Sequence, residues 1–225
     1  MDGILIVDKP QGITSHDVVD IVRRLYGTKK VGHAGTLDPM ATGVLIMLIG
    51  KATKSSQDLS AEEKEYDATL TLGGRSTTGD ACGDIEPSGK PTDFTDSQIV
   101  AVFKKFEGEI EQTPPAYSAK KVNGVKMYHL ARRGESVKMM PQKIVIKELS
   151  ISRISLPAVD FKLTCSKGTY VRQLCVDIGE VLGSGGYLSR LVRTRSGAFT
   201  ISQSRSLEEL KRMDKKALED RLLQL

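Results

Sequence analysis

Residues 31–45 read VGHAGTLDPMATGVL, and the placement of the other elements follows from how this stretch is read. Gly32, Gly35 and Gly43, together with Pro39, punctuate it, so neither a regular helix nor a central strand is expected and the stretch is read as a loop. Asp38 is its only ionisable carboxylate. The apolar run Val44 to Ile49 (VLIMLI) follows directly; as a buried strand or helix segment it would hold the loop at a sheet end. A carboxylate on so rigid a support is a candidate nucleophile or general base. An Asx-type turn, in which Asp38 bonds its own backbone, fits the same residues equally well.

On the N-terminal side, Gly3 to Asp8 (GILIVD) is a short apolar strand stopped by Lys9-Pro10-Gln11-Gly12. Thr14 or Ser15 caps a helix to about Tyr26, with Val18, Ile21, Val22 and Leu25 on one face and Gly27 just past its end. On the C-terminal side, Lys64 to Leu72 alternates strictly, as a half-buried strand whose first inward residue is Tyr66. Arg75 to Thr92, rich in Gly, Thr and Asp, reads as a long loop without hydrophobic period. Thr95-x-x-Gln98 is a capping-box pattern opening a helix through Ile99, Val102, Phe103 and Phe106, and Thr113-Pro114-Pro115 ends the next strand.

Lys143 to Ile154 and Val159 to Cys165 read as two further strands, and Lys167-Gly168-Thr169 turns into a helix with the stripe Val171, Leu174, Cys175, Ile178 and Leu182. Arg172 falls in its first turn, where a cation opposes the helix dipole by ~0.3–1 kcal/mol, so an anionic partner is expected and Asp38 is the candidate. A surface arginine bonded to nothing is the other reading. Gly183 to Gly186 breaks the chain, Leu188 to Arg195 returns as a strand carrying Arg190, Arg193 and Arg195, and Ser206-x-x-Glu209 opens a last helix. No internal repeat or Pro/Gly/Ser-rich linker divides the chain, so one α+β domain is expected over residues 1–225.

A chain of 225 residues buries a sizeable core without staples. Its three cysteines, Cys82, Cys165 and Cys175, lack CxxC spacing, so neither a disulfide framework nor a metal site is expected. No run approaches the ~20 apolar residues of a membrane span and the start has no basic n-region, which points to the cytoplasm. The net charge of +5 is mild, but its distribution is not. Ala119 to Glu148 holds eight basic residues against Glu135 and Glu148, a net +6, whereas Ser76 to Gln98 holds five acids against Lys90, a net −4. A basic side and an acidic side suit a polyanion binder. Within the basic segment Tyr117, Tyr128 and His129 lie among Lys120, Lys121, Arg132 and Arg133 around the hairpin signal Asn123-Gly124. Phosphate-gripping charges and stacking planes in one protruding element suit RNA; an ordinary solvated hairpin with a short helix is the alternative.

Several stretches together resemble the TruB type of tRNA pseudouridine synthase. They are Val7-Asp8-Lys9-Pro10 with Gly12-Ile13-Thr14-Ser15, then Gly32-His33-Ala34-Gly35-Thr36-Leu37-Asp38-Pro39 with Ala41-Thr42-Gly43, and Lys64-x-Tyr66. Pro114-Pro115-x-Tyr117-Ser118-Ala119, Gly168-Thr169-Tyr170-Val171-Arg172 and Leu188 to Gly197 (LSRLVRTRSG) follow in order, so the match runs over nearly the whole chain. GTLDPMATG with a downstream GTYVR is the specific part.

The resemblance implies the pseudouridine synthase fold, a central, mostly antiparallel mixed sheet flanked by helices, with an RNA-gripping insertion at about 113–142. It implies isomerisation of uridine at position 55 in the T-loop of tRNA, without cofactor or metal. Asp38 becomes the catalytic aspartate, Tyr66 stacks on the flipped base and helps remove its C5 proton, and Arg172 pairs with Asp38. Leu191 and Tyr170 line the pocket, His33 fills the space left in the T-loop, and Lys9 and Pro10 support Tyr66 from behind. Bacterial relatives usually continue into a PUA-type RNA-binding domain. The chain stops at Leu225, about where that domain would begin, which implies weaker tRNA binding with intact chemistry. A monomer without an obligatory protein partner or membrane contact is expected. Attack on the sugar, attack on the ring and removal of a sugar proton all remain open for Asp38. An RNA chaperone that flips and refolds the T-arm without chemistry would use the same basic segment and Tyr66. The catalytic subunit of a guide-RNA particle is a third reading, one that would call for extra protein-contacting segments.

Overall fold

The computed structural model describes residues 2–115, 121–122, 125–127, 133 and 139–224. They gather into two compact units, Met1–Tyr66 with Leu191–Leu225, and Asp67–Arg190.

The first unit opens with β1 (Gly3–Lys9), buried almost throughout. α1 (Ser15–Tyr26) begins at Thr14, whose hydroxyl accepts from Asp17 N at 3.1 Å while the Asp17 carboxylate accepts from Thr14 N at 2.7 Å. It closes at Gly27, in the left-handed conformation. The cap is therefore Thr14, which leaves Ser15 for another task. The buried stripe is Ser15, Val18, Val19, Val22 and Tyr26, not the expected stripe through Ile21 and Leu25, which are half-buried. Polar anchors shift the stripe: the Tyr26 hydroxyl donates to the carbonyl of Leu218 at 2.7 Å, and burial pushes its pKa up to about 12.

Val31 to Ala34 forms β2, so the expected loop shrinks to residues 35–41. Gly32 is no obstacle because β2 pairs along one edge of β3 (Thr42–Ile49), from Val31↔Ile49 to Ala34↔Ile46. β3 is the apolar run, buried at every position after Thr42. A 3₁₀ turn and α2 (Ser56–Ala61) lead to β4 (Lys64–Leu72), where burial alternates as expected. The first inward residue is Lys64 rather than Tyr66, because its ammonium finds the carbonyls of Ser60 and Glu62.

In the second unit the 75–92 segment is not all loop: β5 (Gly74–Ser76) and β6 (Ile85–Pro87) pair antiparallel. The pair has no hydrophobic period because β6 is exposed throughout and main-chain bonds hold the two strands together. α3 (Asp96–Phe103) carries the expected Thr95/Gln98 capping box and buries Ile99, Val102 and Phe103. β7 (Gly108–Gln112) precedes the basic segment, in which β8 (Lys121–Val122) and β9 (Val125–Lys126) pair antiparallel across positions 123–124. β10 (Gln142–Ser155) and β11 (Ala158–Cys165) form the long hairpin, with strand order β4-β11-β10-β7. The Phe103 and Phe161 rings meet edge-to-face, 5.5 Å apart. α4 (Val171–Leu182) follows, capped by Gly183.

β12 (Gly186–Ser196) carries the chain back to the first unit, followed by β13 (Phe199–Thr200) and β14 (Arg205–Ser206), the latter parallel to β1. Ser206 and Glu209 form the capping box of α5 (Leu207–Lys211), and α6 (Lys215–Glu219) lies near the end. The sheet is mixed and mostly antiparallel with flanking helices, an α+β arrangement as expected. None of the three cysteines is in a disulfide, and Cys165 and Cys175 are buried. No described helix is long and apolar enough to cross a membrane.

Candidate active site

The Asp38 loop sits at a fork. β3 has two edges, and β1 runs the length of one, from Gly3↔Ile49 to Lys9↔Gly43. On the other edge β2 covers Ile46 to Ile49 and then departs into the loop, while β12 covers only Thr42 and Gly43, in parallel with Val192 and Arg193. Main-chain carbonyls beside the fork lose their ladder partners and need others. The Arg193 side chain, 1% exposed, supplies them: Nε donates to Val44 O at 2.7 Å, one terminal nitrogen to Gly35 O at 2.9 Å and the other to Thr36 O at 3.5 Å. Gly43 is obligatory here, with φ at 96° and a Cβ position only 2.3 Å from Arg193 O.

Two more side chains clamp the loop from the N-terminal segment. Lys9, fully buried, donates from its ammonium to the carbonyls of Ile13 at 2.7 Å, Pro10 at 2.9 Å and Pro39 at 3.3 Å. Ser15 Oγ donates to Leu37 O at 3.0 Å and accepts from Leu37 N at 2.9 Å. Gly12 N donates to Pro39 O at 2.8 Å, and Ala41 N to Asp38 O at 3.0 Å. The residues on both sides of Asp38 are thus fixed from three directions, so its carboxylate is presented on a rigid support.

The same unit holds Tyr66, 9% exposed on β4, and Leu191, 6% exposed on β12. Arg195, two residues beyond Arg193, meets Glu63 and Glu65, each at 2.7 Å, tying down the start of the strand that carries Tyr66. These two carboxylates, with Glu65 first, hold its guanidinium pKa above the usual range. His33 is half-buried on β2, and its carbonyl accepts from Ser56 Oγ at 3.1 Å.

In the second unit Arg172 is 4% exposed, which excludes the surface-arginine reading. Its guanidinium donates to Thr78 O at 3.0 Å, and its Nε lies 3.5 Å from the carboxylate of Asp80. Asp80 is itself buried and accepts from Thr78 Oγ1 at 2.7 Å and Cys82 N at 3.0 Å. Tyr170, half-buried at the start of α4, has its main chain locked by buried Gln112, which accepts from Tyr170 N at 2.8 Å and donates to Tyr170 O at 3.1 Å. Further along α4, burial raises the Asp177 pKa against the opposing Gln173 hydrogen bond. Arg133 is exposed, and only the backbone strand of Lys121 is described. Tyr117, Lys120, Asn123-Gly124, Tyr128, His129 and Arg132 lie outside the described residues. Among the described residues no cluster of His, Cys, Asp and Glu could hold a metal ion.

Residues 23–171 match the sequence model of the TruB family pseudouridylate synthase N-terminal domain, and residues 172–225 that of the tRNA pseudouridylate synthase B C-terminal domain. The chain belongs to the TruB family. A protein named tRNA pseudouridine synthase B from Opitutus terrae is 44% identical over 223 residues, covering 99% of this chain and 92% of the relative. One of the same name from Syntrophotalea carbinolica is 47% identical, covering 98% and 71%. Among solved structures, a Cbf5-Nop10-Gar1 complex matches with TM-score 0.76 and 30% identity over 99% of this chain and 60% of that one. An H/ACA RNP bound to a substrate RNA matches at 0.69 and 31%, over 92% and 51%. The chain thus spans only 51–60% of these two solved chains.

Within this TruB-family chain the clamp residues are what sequence reasoning missed. Ser15 was available only as a cap, Arg193 only as one of three arginines on a strand, and Asp80 only as part of a loop. For Arg193 the signal was the spacing Leu191-x-Arg193, which puts the arginine on the same inward face as the leucine. Asp80 carried no comparable signal.

Proposed function

We propose that this chain isomerises uridine to pseudouridine at position 55, in the T-loop of tRNA. The observation that carries the reading is the single carboxylate of Asp38 on a loop fixed by Lys9, Ser15 and Arg193, in a chain whose relatives are named tRNA pseudouridine synthase B. The target atom is inaccessible in a stacked loop, so the nucleotide flips out, at a cost of a few kcal/mol offset by stacking on Tyr66. With Asp38 engaged, the N1–C1′ bond breaks, the uracil turns in a slot walled by Leu191 and Tyr170, and the C5–C1′ bond forms. The C5 proton leaves with help from Tyr66 and N1 takes one up, so no atom is gained or lost and no cofactor is called for. Arg172 pairs with Asp38, keeping it ionised because a neighbouring cation favours the charged form. Lys9 and Pro10 back Tyr66, His33 takes the space vacated in the T-loop, and the basic segment with Lys120, Lys121, Arg132 and Arg133 grips phosphates. A monomer acting alone in the cytoplasm suffices for this chemistry.

Tritium release from C5-labelled uridine in a T-arm stem-loop tests the reading. Release in step with pseudouridine formation is expected from the chain alone. Faster T-arm refolding without release would support the RNA chaperone instead. Alanine at Lys120, Lys121, Arg132 and Arg133 should flatten the salt dependence of binding by about one unit for each phosphate no longer gripped, for any T-arm sequence. An unchanged slope would return the segment to an ordinary solvated hairpin.

A further inference from the structure

We propose that Arg193 is a positioning residue for Asp38, holding the catalytic loop across the fork at which β2 and β12 part on the edge of β3. The proposal rests on the reading of Asp38 as catalytic. Gly35 and Thr36 lie just before Asp38 and Val44 shortly after it, and one guanidinium holds the carbonyls of all three. An Arg193 donor thus reaches both the entry and the exit of the loop.

The chemistry of the residue supports a role beyond filling space. Among the described residues the Arg193 cation has no carboxylate partner, and every bond it makes is to a main-chain carbonyl. Burying a charge without a counter-ion is unfavourable, so a fold that needed only packing here would do better with an apolar side chain. The three carbonyls are met by three different guanidinium nitrogens, whereas a lysine would have to draw them round one atom, as Lys9 does with the carbonyls of Pro10, Ile13 and Pro39, so Arg193→Lys would need the loop to move. The backbone around the fork leaves no slack: a Cβ at Gly43 would meet the Arg193 main chain, and one at Gly35 would lie 3.3 Å from its guanidinium. Loop and arginine fit each other closely, so a change in the guanidinium moves the loop.

Single-turnover tritium release at saturating stem-loop, run on wild type, Arg193→Lys and Arg193→Ala, tests this. Stem-loop affinity is measured alongside in the Asp38→Asn background, where no turnover intervenes. Each variant is assayed at the same interval below its own unfolding midpoint, which removes the effect of lowered stability. Displacement of a catalytic group by about 1 Å costs about hundredfold in rate, so a loss of that order is expected in both variants with affinity changed by less than about threefold. Methylguanidinium added to Arg193→Ala should recover at least about a tenth of the lost rate by reoccupying the three carbonyls. If Arg193→Ala does not fold, the rate-against-affinity split in Arg193→Lys decides alone. An unchanged saturating rate with weakened binding would overturn the proposal, as would methylguanidinium that raises the midpoint but not the rate. Wild type that releases no tritium would remove the reading of Asp38 and this proposal with it, whereas active wild type with active variants removes only the proposal.

Discussion

Two irregular segments, one around Asp38 and one around Asp80, are held in different ways. Residues 35–41 around Asp38 are clamped from outside, by Lys9, Ser15 and Arg193, residues up to 158 positions away in sequence. Residues 77–84 around Asp80 are also reached from outside, by Arg172 at Thr78 O and by the main chain of Leu188 at Gly79 and Ala81, but they add side-chain ties of their own: Thr78 Oγ1 and Cys82 N donate to the Asp80 carboxylate, and Asp84 N donates to Thr77 Oγ1 at 3.1 Å. The Asx-type turn that the sequence allowed for Asp38 is thus the arrangement seen at Asp80. The difference teaches what a carboxylate is for. At Asp80 the carboxylate itself closes the turn, and around Asp38 the neighbouring main-chain groups anchor the loop.

The comparison breaks or stands first on activity. Asp38→Asn leaves the clamp in place, because the clamp holds main-chain carbonyls, yet it removes the charge. Turnover should fall by about 10,000-fold or more, as when a nucleophile or base is lost, while stem-loop affinity stays within about threefold. Tritium release near the wild-type rate would mean that the rigidly presented carboxylate has no chemical role.

Arg172 belongs by its own contacts to the self-tied segment and by the proposed mechanism to Asp38. Arg172→Ala leaves the buried Asp80 without its cation, a loss of about 3–5 kcal/mol in unfolding free energy, and it should depress turnover as well. Arg172→Lys should restore part of the stability but little of the rate, since an ammonium lacks the two-donor fork. In a double-mutant cycle on turnover with Asp38→Glu, the two losses should miss additivity by more than about 0.5 kcal/mol. Additive losses would confine Arg172 to the Asp80 segment.

These tests address what local pattern could not show. The capping boxes at Thr95 and Ser206, the alternation of β4 and the strands β10 and β11 were legible because each is decided within a few residues, whereas the first helix start was narrowed only to Thr14 or Ser15. Asp38 stood out because glycines and a proline surround it. The first four residues of its stretch were misread because β2 depends on the distant edge of β3, which outweighs the local cost of Gly32. Lys64 was misplaced because a buried ammonium satisfied by carbonyls looks, in sequence, like any surface lysine. Arg193 and Asp80 were passed over for the same reason, since their partners are carbonyls and side chains that only the fold brings near.

The contrast between the two segments also predicts unequal costs for losing a single hydroxyl. Ser15 makes two bonds to one residue, donating to Leu37 O and accepting from Leu37 N, and both residues are buried. Ser15→Ala therefore strands a main-chain donor and an acceptor together, at about 1–3 kcal/mol each at most. A loss of about 2 kcal/mol in a denaturant titration is expected, with a fall in turnover as the loop loosens next to Asp38.

Thr78→Val is the matching change in the self-tied segment and should have the smallest effect. Valine keeps the branched shape and removes only the hydroxyl that donates to Asp80. The Asp80 carboxylate still accepts from Cys82 N and still faces the Arg172 guanidinium, and Thr78 O, which accepts from Arg172, is main chain and stays where it is. Redundant ties share the load, so the loss should be about 0.5–1.5 kcal/mol, the net worth of one hydrogen bond, with turnover nearly unchanged. Should Thr78→Val cost as much as Ser15→Ala, the turn is not redundant, and the distinction between a loop held mainly from outside and one that adds side-chain ties of its own fails at its most sensitive point.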